Sequence, residues 1–140
     1  VVTTRDRRAQ IVVGFNFRGN DGDAWRWVDA REHAGFAFRV RVPDGDRNVN
    51  VTVVTASHLP SASTERGTCE HAARTACPGI HGITVPVTST WTRVVVRWSQ
   101  LRQAAGAVTG PLDVGAIGRV DFIYTVPPHS TDPFIVTDVW

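Results

Sequence analysis

Two cysteines and two histidines lie close together in the middle of this chain, in the order Cys69, His71, Cys77 and His81. Two sulfurs and two imidazoles form a ligand set that zinc favours. However, Cys-x-His holds two ligands unusually close, and no predicted helix presents the second pair. The two cysteines could instead close a small loop as a disulfide, which stabilises a fold by roughly 2 to 3 kcal/mol. The spacing favours the disulfide, and with it an oxidising compartment.

Paired carboxylates are the second arrangement that could carry chemistry. Asp121 and Asp138 could form a glycosidase pair, which depends on a separation that only a structure gives. The chain has no nucleophile elbow, no His-Glu-x-x-His and no Gly-rich phosphate loop. We therefore do not expect an enzyme. A small jelly-roll polysaccharide hydrolase or lyase stays an alternative, as does a protein-binding adhesion domain.

The elements that must position these residues are strands, because the dominant hydrophobic period is two. From Ala34 to Val42, for example, Phe36, Phe38 and Val40 alternate with outward residues. We predict seven to nine strands in an all-β antiparallel sandwich or jelly roll, with one short helical turn within Ser99 to Ala107. The predicted strands lie in the segments 9–18, 34–42, 48–55, 82–87, 91–98, 119–126 and 134–140, and turns are predicted at 20–23 and 43–46.

Strand alternation also predicts which polar side chains face outward. In the strand Trp91 to Trp98, Val94, Val96 and Trp98 point to the core and arginines point out. A rigid sheet that presents arginines, amides and carboxylates is suited to binding. The outward residues expected to form one patch are Arg39, Arg41, Asn50, Arg97 and Asp121.

Composition limits the class of protein. The chain has 140 residues, 42% of them hydrophobic, which predicts one domain over residues 1–140 with a sizeable core. No apolar run is long enough for a membrane span, and the absence of methionine indicates a piece of a longer precursor whose signal sequence was removed. All 15 basic residues are arginine, against 13 acidic ones, which is too balanced for nucleic acid binding. We expect neither nucleic acid nor membrane as a partner.

The order of several motifs over residues 33–140 carries a family resemblance. A cysteine-bearing segment with His81 precedes the strand from Trp91, which is followed by Trp98-Ser-Gln-Leu101, by Gln103 and by a closing strand that contains Asp138. The segment from Gly35 to Arg39 is also similar to a family strand. In this order the chain resembles galactose-binding-like carbohydrate-binding modules, with family 11 modules and their bacterial relatives nearest. Two family positions differ, since Ala105-Gly106 stands where the family has Gly-Trp and Thr137 where it has aspartate.

The resemblance implies a noncatalytic, secreted module that holds a larger multidomain enzyme or adhesin on a polysaccharide through a groove on one sheet. Gln103 occupies a family glutamine position, and His81 a family histidine position. His81 could hydrogen-bond a sugar or pin the linker, and we slightly favour the pinning role. Asp138 resembles a carboxylate that completes a calcium site. Because calcium takes six to eight oxygen ligands and Asp138 supplies one carboxylate, a structural calcium ion stays an open alternative, and no cofactor is required.

Sugar rings need flat aromatic platforms flanked by polar groups, because they present an apolar face and a rim of hydroxyls. Trp25 and Trp27 are the best platform candidates, since they share a face after a turn, although core packing is the competing interpretation. Trp91 is expected to be structural. The implied ligand is a β-glucan or cellulose chain, while the richness in arginine also allows an acidic uronate polymer.

Overall fold

The computed structural model describes residues 10–16, 26–42, 46–63, 66–125, 135–137 and 139. The described part of the chain contains three short 3-10 turns, at Ala56–His58, Arg74–Ala76 and Trp98–Gln100. Among the described residues, no helix has the length and apolar character needed to cross a bilayer. Eight strands lie in these ranges: β1 (Gln10–Asn16), β2 (Gly35–Arg41), β3 (Arg47–Thr55), β4 (His81–Val87), β5 (Thr92–Arg97), β6 (Arg102–Gln103), β7 (Ile117–Thr125) and β8 (Ile135–Thr137).

The strands form two antiparallel sheets. One has five strands in the order β1-β7-β3-β4-β6, and the other has three in the order β5-β2-β8. Phe38 of β2 and Phe122 of β7 join the sheets, with ring centroids 4.6 Å apart in an edge-to-face arrangement. The predicted antiparallel β-sandwich is therefore confirmed.

Alternation of side chains fills the space between the sheets, as the period of two predicts. Phe38 and Val40 are fully buried in β2, whereas Arg39 between them is exposed. In β3, Val49 and Val51 are fully buried and Asn50 is exposed. These strands bury one row of apolar side chains and leave the other row facing outward.

Two local predictions differ from the structure. The helical turn expected within Ser99 to Ala107 is a 3-10 turn at Trp98–Gln100, and a two-residue strand, β6, follows it. Two residues are too few to show a period, so the sequence does not reveal β6. The predicted turn at 20–23 lies outside the described residues, as does most of the one at 43–46.

The long segment between β3 and β4 is held by covalent and hydrogen bonds. A disulfide joins Cys69 and Cys77, with the two Cα atoms 5.8 Å apart, which confirms the predicted bridge. The Cys69 backbone N–H donates to the Leu59 carbonyl (3.1 Å), and the Ser61 N–H donates to the Cys69 carbonyl (2.8 Å). Because both sulfurs are bonded to one another, the alternative zinc site is wrong.

Candidate functional site

The predicted binding residues lie on opposite sides of the sandwich. Arg39 is in β2 and Arg97 in β5, on the outer face of the three-stranded sheet, whereas Asp121 in β7 faces outward from the five-stranded sheet. Arg41 shares the face of Arg39, and Asn50 shares that of Asp121. The expected single patch is therefore wrong, because alternation distinguishes inward from outward residues but does not say which sheet a strand joins.

On the five-stranded sheet, one row of outward positions crosses four strands. The strand register aligns Gly14 of β1, Asp121 of β7, Thr52 of β3 and Gly82 of β4. Both ends of this glycine–aspartate row lack a side chain of their own, and neighbouring side chains cover them: the Asp121 carboxylate at Gly14 and the Thr52 methyl group at Gly82. The carboxylate leans over Gly14, since a Cβ atom added to this glycine would lie 2.7 Å from Oδ1 of Asp121.

Asp121 of this row forms an ion pair with Arg119, two residues earlier in β7. The Arg119 guanidinium donates to Oδ2 of Asp121 through Nε and Nη2, each at 2.9 Å. Asp121 is only 6% exposed, and burial raises the pKa of its carboxyl group, although the charges of Arg119 and Arg74 act in the opposite direction. The side chain of Arg119 is more exposed, at 32%. Asp121 therefore orients a guanidinium that a ligand can reach.

The neighbouring row combines polar and apolar groups. It aligns Val12 of β1, Ile123 of β7, Asn50 of β3 and Thr84 of β4. The Thr84 hydroxyl donates to Oδ1 of Asn50 at 2.7 Å, which fixes the amide oxygen as an acceptor and leaves the NH₂ group as a donor. Val12 is 55% exposed. An apolar patch beside a fixed amide matches the two surfaces that a sugar ring presents.

The tryptophans differ in their surroundings. Trp25 lies outside the described residues, and Trp27 is half-buried next to Val28, whose backbone pairs with Ile117 at the start of β7. Trp98 packs against Phe36 in the core, with ring centroids 5.4 Å apart. Trp91, which we expected to be structural, is instead 47% exposed.

His81 and Gln103 hold the loops in place. His81 is 7% exposed, and its Nδ1 atom lies 3.3 Å from Nε2 of His58. Gln103 donates through Nε2 to the Gly79 carbonyl (2.7 Å) and accepts through Oε1 from the Gly110 N–H (3.1 Å). These contacts agree with the pinning role that the sequence allows for His81. The ligand-binding role assigned to Gln103 stays a prediction.

Calcium stays a prediction as well. Asp138, its single predicted ligand, lies outside the described residues. Among the residues that the structure describes, no cluster of three or more His, Cys, Asp or Glu side chains could hold a metal ion.

Several residues of the five-stranded sheet that sequence reasoning missed now belong to the candidate site: Val12, Gly14, Thr52, Gly82, Thr84, Arg119 and Ile123. Arg119 could have been predicted from the sequence, because it precedes Asp121 by two positions in one strand and therefore lies on the same face. Gly14 and Thr84 could not have been predicted, since cross-strand register depends on strand pairing and is not visible in one segment.

Comparison with known proteins places the fold. No family model and no curated protein sequence matches the chain. A solved structure that is similar to it is described as "Family 11 Carbohydrate-Binding Module from Clostridium thermocellum in complex with beta-1,3-1,4-mixed-linked tetrasaccharide", with a TM-score of 0.53 and 12% identity. The match covers 93% of this chain and 81% of that one. The expected similarity to family 11 modules is thus confirmed for the fold.

Proposed function

We propose that this chain is a noncatalytic carbohydrate-binding module that holds a polysaccharide across the outer face of its five-stranded sheet. The observation that carries the proposal is the glycine–aspartate row. There, a carboxylate that is only 6% exposed holds a partly exposed guanidinium at the surface of the sheet.

The chemistry of the neighbouring positions supports this ligand class. Sugar hydroxyls both donate and accept hydrogen bonds, and Arg119, Asn50 and Thr84 offer donors and acceptors in fixed orientations. Val12 offers apolar surface for the C–H face of a ring, and we propose that the half-buried Trp27, which precedes the backbone pair of Val28 with Ile117, adds an aromatic surface. Because the fold is shared with a module solved with a mixed-linkage β-glucan tetrasaccharide, we propose β-glucans as the ligand class at this face.

The disulfide supports a setting outside the cytoplasm, since such bonds persist in oxidising compartments. We propose that the module belongs to a secreted protein, as the anchoring part of a larger enzyme or adhesin.

Affinity electrophoresis and calorimetry with mixed-linkage β-glucan test the proposal. Asn50→Ala and Trp27→Ala are each expected to weaken binding by roughly 1 to 2 kcal/mol, through loss of one hydrogen-bond set or one aromatic surface. Ser99→Ala, an exposed hydroxyl truncation in the 3-10 turn after β5, is the matched control and should bind as the unmodified chain does.

Two results would contradict the proposal. One is unchanged retention of both variants, and the other is release of reducing sugar ends from the glucan, which would indicate a hydrolase.

A further inference from the structure

The outer face of the three-stranded sheet is also polar, but its charged residues are all arginines. Its strands Gly35–Arg41, Thr92–Arg97 and Ile135–Thr137 contain four arginines and no aspartate or glutamate. We call Arg39, Arg41, Arg93 and Arg97 the arginine face. Alternation places them on the side of the sheet away from the buried Phe38 and Val96.

The register concentrates positive charge on this face. Arg39 pairs directly with Arg93 across β2 and β5, and like charges in directly opposed positions disfavour a sheet. Arg97 lies four residues further along β5, about 13 Å from Arg93. Because the guanidinium groups are spaced along the two strands, several negative groups of one ligand can reach them, so an extended polyanion fits better than a single anion.

Apolar groups accompany the guanidinium groups. Trp91, just before β5, is 47% exposed, and the Arg41 guanidinium lies 5.1 Å from its ring centroid. Val95, between Arg93 and Arg97, is 54% exposed. The two arginines also help to line a cavity of about 600 Å³ whose wall includes Trp98. A ligand with apolar ring faces and charged groups at its edges matches this combination.

We propose that the arginine face binds an acidic polysaccharide, a polymer of uronate sugars, independently of the glycine–aspartate row on the five-stranded sheet. Each uronate ring carries one carboxylate, which a guanidinium binds with two parallel hydrogen bonds. The C–H face of the ring packs on Trp91 or Val95. Carboxylated sugars therefore use both the charged and the apolar parts of this surface.

Nucleic acid is the competing polyanion, and two observations disfavour it. The whole chain carries a formal charge of only +2, whereas nucleic acid binding draws its affinity from many phosphate contacts. Among the described residues, Trp91 is the one large exposed aromatic, and a single indole gives few stacking positions for successive bases.

Binding of polygalacturonate, measured by calorimetry, tests the proposal against its fully methyl-esterified form. The two polymers share a backbone and differ in charge, so only the acid form should bind, and its affinity should fall as salt is raised. Arg39→Gln and Arg97→Gln should each weaken binding about twofold to fivefold. The double variant should show roughly the product of the two effects, because the positions are far apart.

Arg66→Gln supplies the matched control, since it removes the same charge from an exposed position in the segment between β3 and β4. Its affinity for polygalacturonate should be unchanged. Thermal unfolding of each variant checks that the exposed substitutions leave the fold intact.

Several outcomes would overturn the proposal: no binding of the acid form, equal binding of the ester, or an equal loss with Arg66→Gln. Tighter binding of single-stranded DNA than of polygalacturonate at the same ionic strength would rule out the assigned occupant. Because the glucan measurements depend on Asn50 and Trp27, failure of either proposal leaves the other standing.

Discussion

Nε2 of His58 lies 3.3 Å from Nδ1 of His81, and the two imidazole rings stack with their centroids 5.5 Å apart. The Thr55 backbone N–H donates to Nδ1 of His58 at 3.0 Å, so this atom is an acceptor and the neutral ring carries its proton on Nε2. His58 then donates to His81. The contact ties the segment after β3 to the start of β4 and requires both rings to be neutral.

Acid should therefore weaken the fold. Burial, followed by the nearby His81 and Arg74, lowers the pKa of His58 from 6.5 to about 4, and burial lowers that of His81 too. Between these values the unfolded chain binds a proton that the folded chain excludes. The contribution of neutral His58 to the free energy of unfolding is fully present above pH 6.5. It is lost as the pH falls towards 4, and the loss is at most about 3 kcal/mol.

Urea unfolding between pH 4 and pH 7.5 measures this loss. His58→Gln is the control, because its amide can accept from Thr55 and donate to His81 without titrating. The free energy of unfolding of the variant should depend less steeply on pH than that of the unmodified chain. Equal slopes would show that other groups cause the loss of stability in acid.

Removal of the disulfide should destabilise the protein moderately. Cys69 and Cys77 close a loop with a sequence separation of 8, and the chain entropy of such a loop corresponds to roughly 2 to 3 kcal/mol. Cys69→Ala/Cys77→Ala should lower the free energy of unfolding by that amount. A reducing agent should shift the unmodified chain equally and leave the variant unchanged, whereas a shift in both would indicate an effect unrelated to the bridge.

The two partners of the Arg119–Asp121 ion pair should respond unequally to substitution. Arg119→Gln removes the positive charge that compensates the Asp121 carboxylate, which is only 6% exposed. The substitution should lower the free energy of unfolding by about 1 to 3 kcal/mol. Asp121→Asn keeps an acceptor for Arg119 and removes a buried charge, so we expect a cost below about 1 kcal/mol. Denaturant unfolding of both variants and of the double variant gives the interaction free energy between the two side chains. Equal single costs would argue against burial as the source of the difference.

Two glycines should tolerate alanine differently. A Cβ atom on Gly35 would collide with the carbonyl oxygen of Val96 in the paired strand, and backbone in a sheet cannot move aside. Gly35→Ala should cost about 3 kcal/mol or more. A Cβ atom on Gly14 meets side-chain atoms of Asp121 and Arg119 and no backbone atom, so a small displacement of the ion pair can relieve the contact, and Gly14→Ala should cost about 1 kcal/mol and weaken glucan binding. Thermal unfolding and glucan affinity distinguish the two effects.

The sequence predicts the strands well, because a half-buried strand shows its period in its own residues. Phe38, Val51 and Phe122 are fully buried where the alternation puts them. The disulfide was also predictable, since the two cysteines of the chain allow one pairing and lie close in sequence.

The candidate site was less predictable, because it depends on which strands become neighbours. Arg39 and Asp121 are both outward-facing, yet they belong to different sheets. The partner of His81 was hidden for a similar reason, since His58 lies in a segment with no period, 23 residues away along the chain. Cross-strand and long-range contacts of this kind are set by tertiary packing, which no local pattern records.

The outer faces of the two sheets point away from one another, with the packed core between them. A ligand on one face does not obstruct the other, so a single molecule could hold a neutral and an acidic chain at once. Such a two-sided molecule would act as a noncovalent crosslink, and it would thicken a mixture of the two polymers while leaving a solution of either one unchanged.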